Sequence, residues 1–161
     1  LGQARGDNGC AGWTVHLFQS LNTQDFDIAS PKGIAPIPRK SRGKTQGERF
    51  SRPDIEAGKT PLEYLFTLED AQDDTSSSYH GESGLTPEDW IIAFMTHLEE
   101  TREPLDNHGN NTESATDLLR TFFSNSVPCA YWDCNDHMAY LRGRDVSDRY
   151  VFVGVRTSVI I

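Results

Sequence analysis

Apolar residues Trp13, Leu17, Phe18 and Leu21 recur at i, i+4, i+5 and i+8, the stripe of a buried helix, and Cys10 stands at its front end after the polar turn Asp7-Asn8-Gly9. From residue 28 the periodicity stops. Pro31, Pro36, Pro38 and Pro53 alternate with Gly33, Gly43, Gly47 and Gly58, which predicts a long loop through residue 59. Thr60-Pro61-Leu62-Glu63 is then a helix start: a capping hydroxyl, a proline suited to the first helical position and a glutamate that closes a capping box. Leu62, Leu65 and Phe66 form its apolar face, and it should end near Asp73-Asp74. Thr86-Pro87-Glu88-Asp89 repeats the starting chemistry, and Trp90, Ile91, Phe94, Met95 and Leu98 form an amphipathic stripe that stops before Pro104. Ser114 or Thr112 should cap a third, shorter helix with Leu118, Leu119, Phe122 and Phe123 facing inward.

From Val127 the pattern becomes extended. His137–Leu141 reads as a strand, Arg142–Asp145 as a turn, and Arg149–Val155 as a second strand that Thr157–Ile161 continues or follows with a third. The expectation is an α+β fold: an N-terminal helix, a long basic loop, a helical middle and a C-terminal antiparallel sheet. The 161 residues suit a single domain, with a mobile arm at about 28–59.

Charge alters this picture in one place. The net charge is −9, which argues against nucleic acid or an anionic membrane as a partner, and no apolar run is long enough to span a bilayer. Yet the arm holds Lys32, Arg39, Lys40, Arg42, Lys44, Arg49, Arg52 and Lys59 against Glu48, Asp54 and Glu56. It is either a solvated loop, paired with the acidic remainder, or a cationic surface for a partner protein.

Three cysteines are an odd number: Cys10, Cys129 and Cys134. A Cys129–Cys134 disulfide closing a small loop leaves one free thiol, Cys10, and fits secretion. The first residue is Leu, as a processed N-terminus leaves it, and Asn110-Asn111-Thr112 fits a glycosylation acceptor at Asn110. Cys129, Cys134 and His137 lack the spacing of a zinc site, and no metal or cofactor is expected.

A thiolate is favoured at a helix N-terminus, and a nucleophilic thiol needs a base and a group that orients the base. Cys10 as nucleophile, His137 as base and Asp148 as orienting carboxylate form one such set, with Asp145 as a second choice for the third role. Gln3 or Asn8 could donate to the oxyanion beside the Cys10 backbone N–H. Cys10 is otherwise a structural residue, buried or bonded to another cysteine.

Cys10-Ala11-Gly12-Trp13 resembles the small-residue and aromatic pattern at the nucleophile of papain-like peptidases. Asp7, three residues before Cys10, resembles the Asp-x-x-Cys of ovarian-tumour-type deubiquitinases. His137 before an apolar strand resembles the histidine strand of both, and of bacterial cell-wall amidases. The resemblance implies a small cysteine hydrolase that cleaves an amide or isopeptide bond in a protein or peptide substrate. A reading from another class is a secreted, non-enzymatic effector, toxin subunit or interaction protein, with its disulfide as a staple.

Overall fold

A computed structural model describes residues 2–5, 11–17, 33–34, 37, 53–108 and 115–160. Among these residues two sheets and two α-helices make up an α+β architecture.

Of the four anticipated helices, the two with capping boxes begin where those boxes are written. Helix α1 spans Pro61–Gln72, with the Thr60 hydroxyl accepting from the Glu63 N–H and the Glu63 carboxylate accepting from the Thr60 N–H. Helix α2 spans Pro87–Thr101 and is capped the same way by Thr86 and Asp89. It ends at Arg102, whose left-handed φ of 65° lets its N–H reach the Leu98 carbonyl.

The buried stripes are rotated from the expected ones. Helix α1 buries Tyr64, Leu68 and Ala71 and leaves Phe66 outside; α2 buries Trp90, Ala93, Phe94 and His97 and leaves Ile91 and Met95 outside. His97 turns inward because its Nδ1 accepts the Ile34 N–H at 2.7 Å, a buried contact that favours the neutral ring. Burial pulls the His97 pKa below its ordinary value.

The first sheet has the order β1 (Gly2–Arg5), β2 (Ala11–Leu17), β9 (Thr157–Ile160), β3 (Glu82–Gly84), antiparallel throughout. Ala11–Leu17 is therefore a strand where a helix was expected. Trp13, Val15 and Leu17 also alternate with Thr14 and His16, so the same letters carry a period of two, and Thr14 and Val15 are β-branched. Phe18 to Leu21, the rest of the expected stripe, lie outside the described residues.

The second sheet is built on β6 (Ser126–Asp133). Strand β7 (Met138–Asp145) runs antiparallel along its whole length on one side. On the other side lie β5 (Ala115–Asp117), antiparallel, and β4 (Asn107–His108), parallel; β8 (Val153–Val155) continues beyond β5. The third helix is absent: Ala115–Asp117 is a strand, Leu118 and Leu119 are buried in the turn after it, and Phe122 and Phe123 are exposed. The expected turn at Arg142–Asp145 is the second half of β7.

Strand alternation divides the core. Ala130 and Trp132 of β6 face α2, among Trp90, Phe94, Leu85, Leu105 and Leu118. Val127 of β6 and Val155 of β8 face the opposite way, under Tyr64, Leu68 and Ala71 of α1. Ala115, Cys129 and Val153 share that second face but form a separate cluster beside Tyr131 and Phe152. Helix α1 thus covers one part of the outer face and leaves the rest open.

The expected arm is pinned at the points that are described. Ile34 and Ile37 are buried, the Gly33 N–H donates to Glu100 Oε2 at 2.9 Å, and the Gly58 N–H donates to the Val153 carbonyl at 3.0 Å. The remaining positions from 28 to 52 lie outside the described residues.

Close packing around β3 leaves no room at Gly84, where an added Cβ would stand 2.5 Å from Leu119 Cβ and 3.2 Å from Leu119 Cα. Gly84→Ala is expected to destabilise the protein by about 1–3 kcal/mol, read as a melting temperature several degrees lower. An unchanged melting curve would contradict this contact.

Candidate functional site

The open part of the outer face forms a cleft of about 350 Å³. Its position follows from β7. On this face Tyr140, Arg142 and Arg144 stand opposite Tyr131, Cys129 and Val127 of β6, one residue in two along each strand.

One wall is an aromatic stack from the β6–β7 hairpin. Tyr131 and Tyr140 stack with ring centroids 5.6 Å apart, and the Arg142 guanidinium lies 4.6 Å from the Tyr140 centroid and 5.9 Å from that of Tyr131. The other wall comes from the chain that leads into β8. Tyr150 and Phe152 stack at 5.7 Å, and the Arg144 guanidinium sits 4.8 Å from the Tyr150 centroid. His108 of β4 closes the space between the walls, 5.1 Å from Tyr131 and 4.7 Å from Phe152.

The two arginines differ in their commitments. Arg144 is buried and donates through Nη1 to Asp117 Oδ2 and through Nη2 to the Asp148 carbonyl. Its Nε is buried, with no acceptor among the described residues. Arg142 is exposed, and among the described residues its guanidinium has aromatic neighbours and no acidic partner. Burial pushes the Asp117 carboxyl up to about 6, against the pull of Arg144. Cys129, beside Asp117, has its thiol pushed well above the usual range by burial and then by that carboxylate. A thiol held in that state is a poor nucleophile.

The residues expected to form a catalytic set are placed as follows. His137 is exposed at the tip of the β6–β7 hairpin with a φ of 53°, and Asp148 follows the far end of β7. Strand β7 has eight residues, so its ends stand about 24 Å apart and the two side chains do not meet. Asp145, the second choice, is at the same far end, its carboxylate accepting from the Ser147 N–H and hydroxyl. Cys10, Asn8 and the acceptor Asn110 lie outside the described residues, and Gln3 is described only as backbone in β1.

Cys129 and Cys134 are free thiols in the structure, which corrects the expected disulfide. Cys129 sits inside β6 and Cys134 just past its end; Cys129 to Asp133 alone advances about 13 Å, beyond the roughly 7 Å that a disulfide allows between Cα atoms. Among the described residues no group of three His, Cys, Asp or Glu gathers to hold a metal ion. No helix among them is long and apolar enough to cross a membrane.

The chain matches no protein-family model, no curated protein and no solved structure.

The site therefore rests on its own geometry. Sequence reasoning passed over His108, Tyr131, Arg142, Arg144 and Phe152. One local signal was available: Tyr140, Arg142 and Arg144 keep the period of two through the stretch assigned to a turn, and Tyr150 and Phe152 repeat it.

Proposed function

We propose that this is a non-catalytic binding protein whose ligand seats in the cleft between the two aromatic walls. The observation that carries this reading is the Arg142 guanidinium, exposed on the cleft over two stacked rings and without an acidic partner among the described residues, in a chain of net charge −9. The volume lies in the range of small-ligand sites, and aromatic walls with a few fixed polar groups are their usual lining. A hydrolase gains no support from this cleft, because its one cysteine is held as a thiol and His137 is at the other end of β7 from Asp148.

A fragment screen by two-dimensional NMR tests the reading. Ring-bearing fragments are expected to shift amides of Tyr140–Arg144 and Tyr150–Val153. The reading is wrong if these amides stay still while a thiol-directed hydrolase probe labels Cys10 and Cys10→Ala removes the labelling and a hydrolytic activity.

A further inference from the structure

Three features of the cleft select among ligands. Each wall carries an arginine over its ring, Arg142 at 4.6 Å from the Tyr140 centroid and Arg144 at 4.8 Å from that of Tyr150, so an aromatic face and a cation stand side by side. Arg142 keeps its whole planar fork for a ligand, and a fork of this kind fits two oxygens of one phosphate or carboxylate. The third feature is Arg144, 7% exposed and lining the cleft, which holds its guanidinium in place through Asp117 and the Asp148 carbonyl and so fixes the Tyr150 wall.

Acidic groups at the rim set a limit. Asp145 is occupied by Ser147, and Asp148 lines the cleft with a carboxylate that has no hydrogen bond among the described residues. An oxyanion must sit away from Asp148, on the arginine side, and a hydroxyl or amine donor suits the Asp148 side.

Building on the binding reading above, the geometry points to a ligand that joins a flat aromatic ring to an oxyanion, the chemistry shared by nucleoside monophosphates and simple aryl phosphates. The ring stacks against Tyr150 and Phe152, where a base or phenyl group meets an aromatic face without needing a particular hydrogen-bond pattern. The oxyanion takes the Arg142 fork. In a nucleotide the ribose hydroxyls donate to Asp148.

Calorimetric and NMR titrations of the whole chain test this with inorganic phosphate, adenosine, adenosine monophosphate and phenyl phosphate. The ring-bearing phosphates are expected to bind at least about tenfold more tightly than phosphate or adenosine, with shifts at Arg142 and Phe152. Arg142→Gln, at an exposed position, should keep the wild-type melting temperature and lose about tenfold for the phosphates while leaving adenosine unchanged. Tyr150→Leu should weaken all ring-bearing ligands together. Asp148→Asn separates the two sources: it weakens adenosine monophosphate alone if a nucleotide is the ligand, and neither phosphate if an aryl phosphate is. Equal binding of phosphate and adenosine monophosphate would overturn the ring, and equal binding of adenosine and its monophosphate would overturn the oxyanion. If neutral or cationic fragments occupy the cleft and these anions do not, the ligand class is wrong and the binding site stands. If no compound of any charge moves the cleft amides, the binding reading falls with it.

Discussion

Asp106→Ala is expected to remove about 3–5 kcal/mol of stability, a large share of the roughly 5–15 kcal/mol that holds a domain together. Asp106 stands in the turn between α2 and β4 with a left-handed φ of 52° and is buried at 5% exposure. Its carboxylate accepts from Trp90 Nε1 at 2.9 Å, from the Thr116 hydroxyl at 2.6 Å and from Arg156 Nη2 at 2.7 Å. One side chain therefore joins α2, β5 and the link between β8 and β9. Deleting it removes the shared acceptor of a buried cation and of two neutral donors, and the hydrogen bonds lost there make up most of the loss. Asp106→Asn keeps part of the acceptor set and should lose less. Urea denaturation followed by tryptophan fluorescence measures both. A loss under about 1 kcal/mol for Ala would mean that this network does not hold the core.

The second large effect is expected at Arg144, and it depends on pH. Arg144→Met leaves Asp117, fully buried on β5, without its cation; at pH 8 this should cost about 3–5 kcal/mol. Asp117 already has its folded pKa raised from 3.8 to about 6, burial being the largest cause. Below 3.8 the carboxyl is neutral in both folded and unfolded chains. Between about 4 and 6 only the unfolded chain ionises, so this group lowers stability as pH rises through that window, by about 3 kcal/mol in the wild type, and the effect is level above it. Without Arg144 the folded pKa climbs further and the window widens upward. The variant should therefore regain stability on acidification from pH 8 to 5.

His97 acts with the opposite sign. Its pKa is lowered, so its contribution is present above the ordinary 6.5 and is lost as pH falls. In the wild type the two groups oppose each other, whereas in Arg144→Met the Asp117 effect should dominate. Asp117→Asn combined with Arg144→Met should recover much of the loss and flatten the profile. If the single variant were equally destabilised at pH 5 and pH 8, Asp117 would not be the group left uncompensated.

What could be read from the letters was local. Thr60-Pro61-Leu62-Glu63 and Thr86-Pro87-Glu88-Asp89 each complete their hydrogen bonds within three residues, and both helices begin there. The extended character from Val127 onward came from β-branched and aromatic residues that pair with strand neighbours. What stayed hidden was set by partners far along the chain. Leu118 and Leu119 look like a helix face, yet the preceding Asp117 is held in a strand through Cys129 on β6, and its side chain by Arg144, 27 positions away. Arg142-Gly143-Arg144 looks like a polar turn until the hairpin register sets it opposite Val127–Cys129, where one arginine is buried. The Trp13–Leu17 stretch satisfies two periods at once, and its pairing with Thr157–Ile160, at the other end of the chain, decides between them. The cleft followed the same rule: its walls come from β4, β6, β7 and the approach to β8, and no short motif spans them.

Strands β8 and β9 belong to different sheets, yet a single buried residue, Arg156, separates them. The chain thus passes from one layer to the other with no slack, through the side chain that Asp106 grips. Whatever loosens that joint is felt at the ends of both strands at once, one of them the strand that carries Val153 into the cleft.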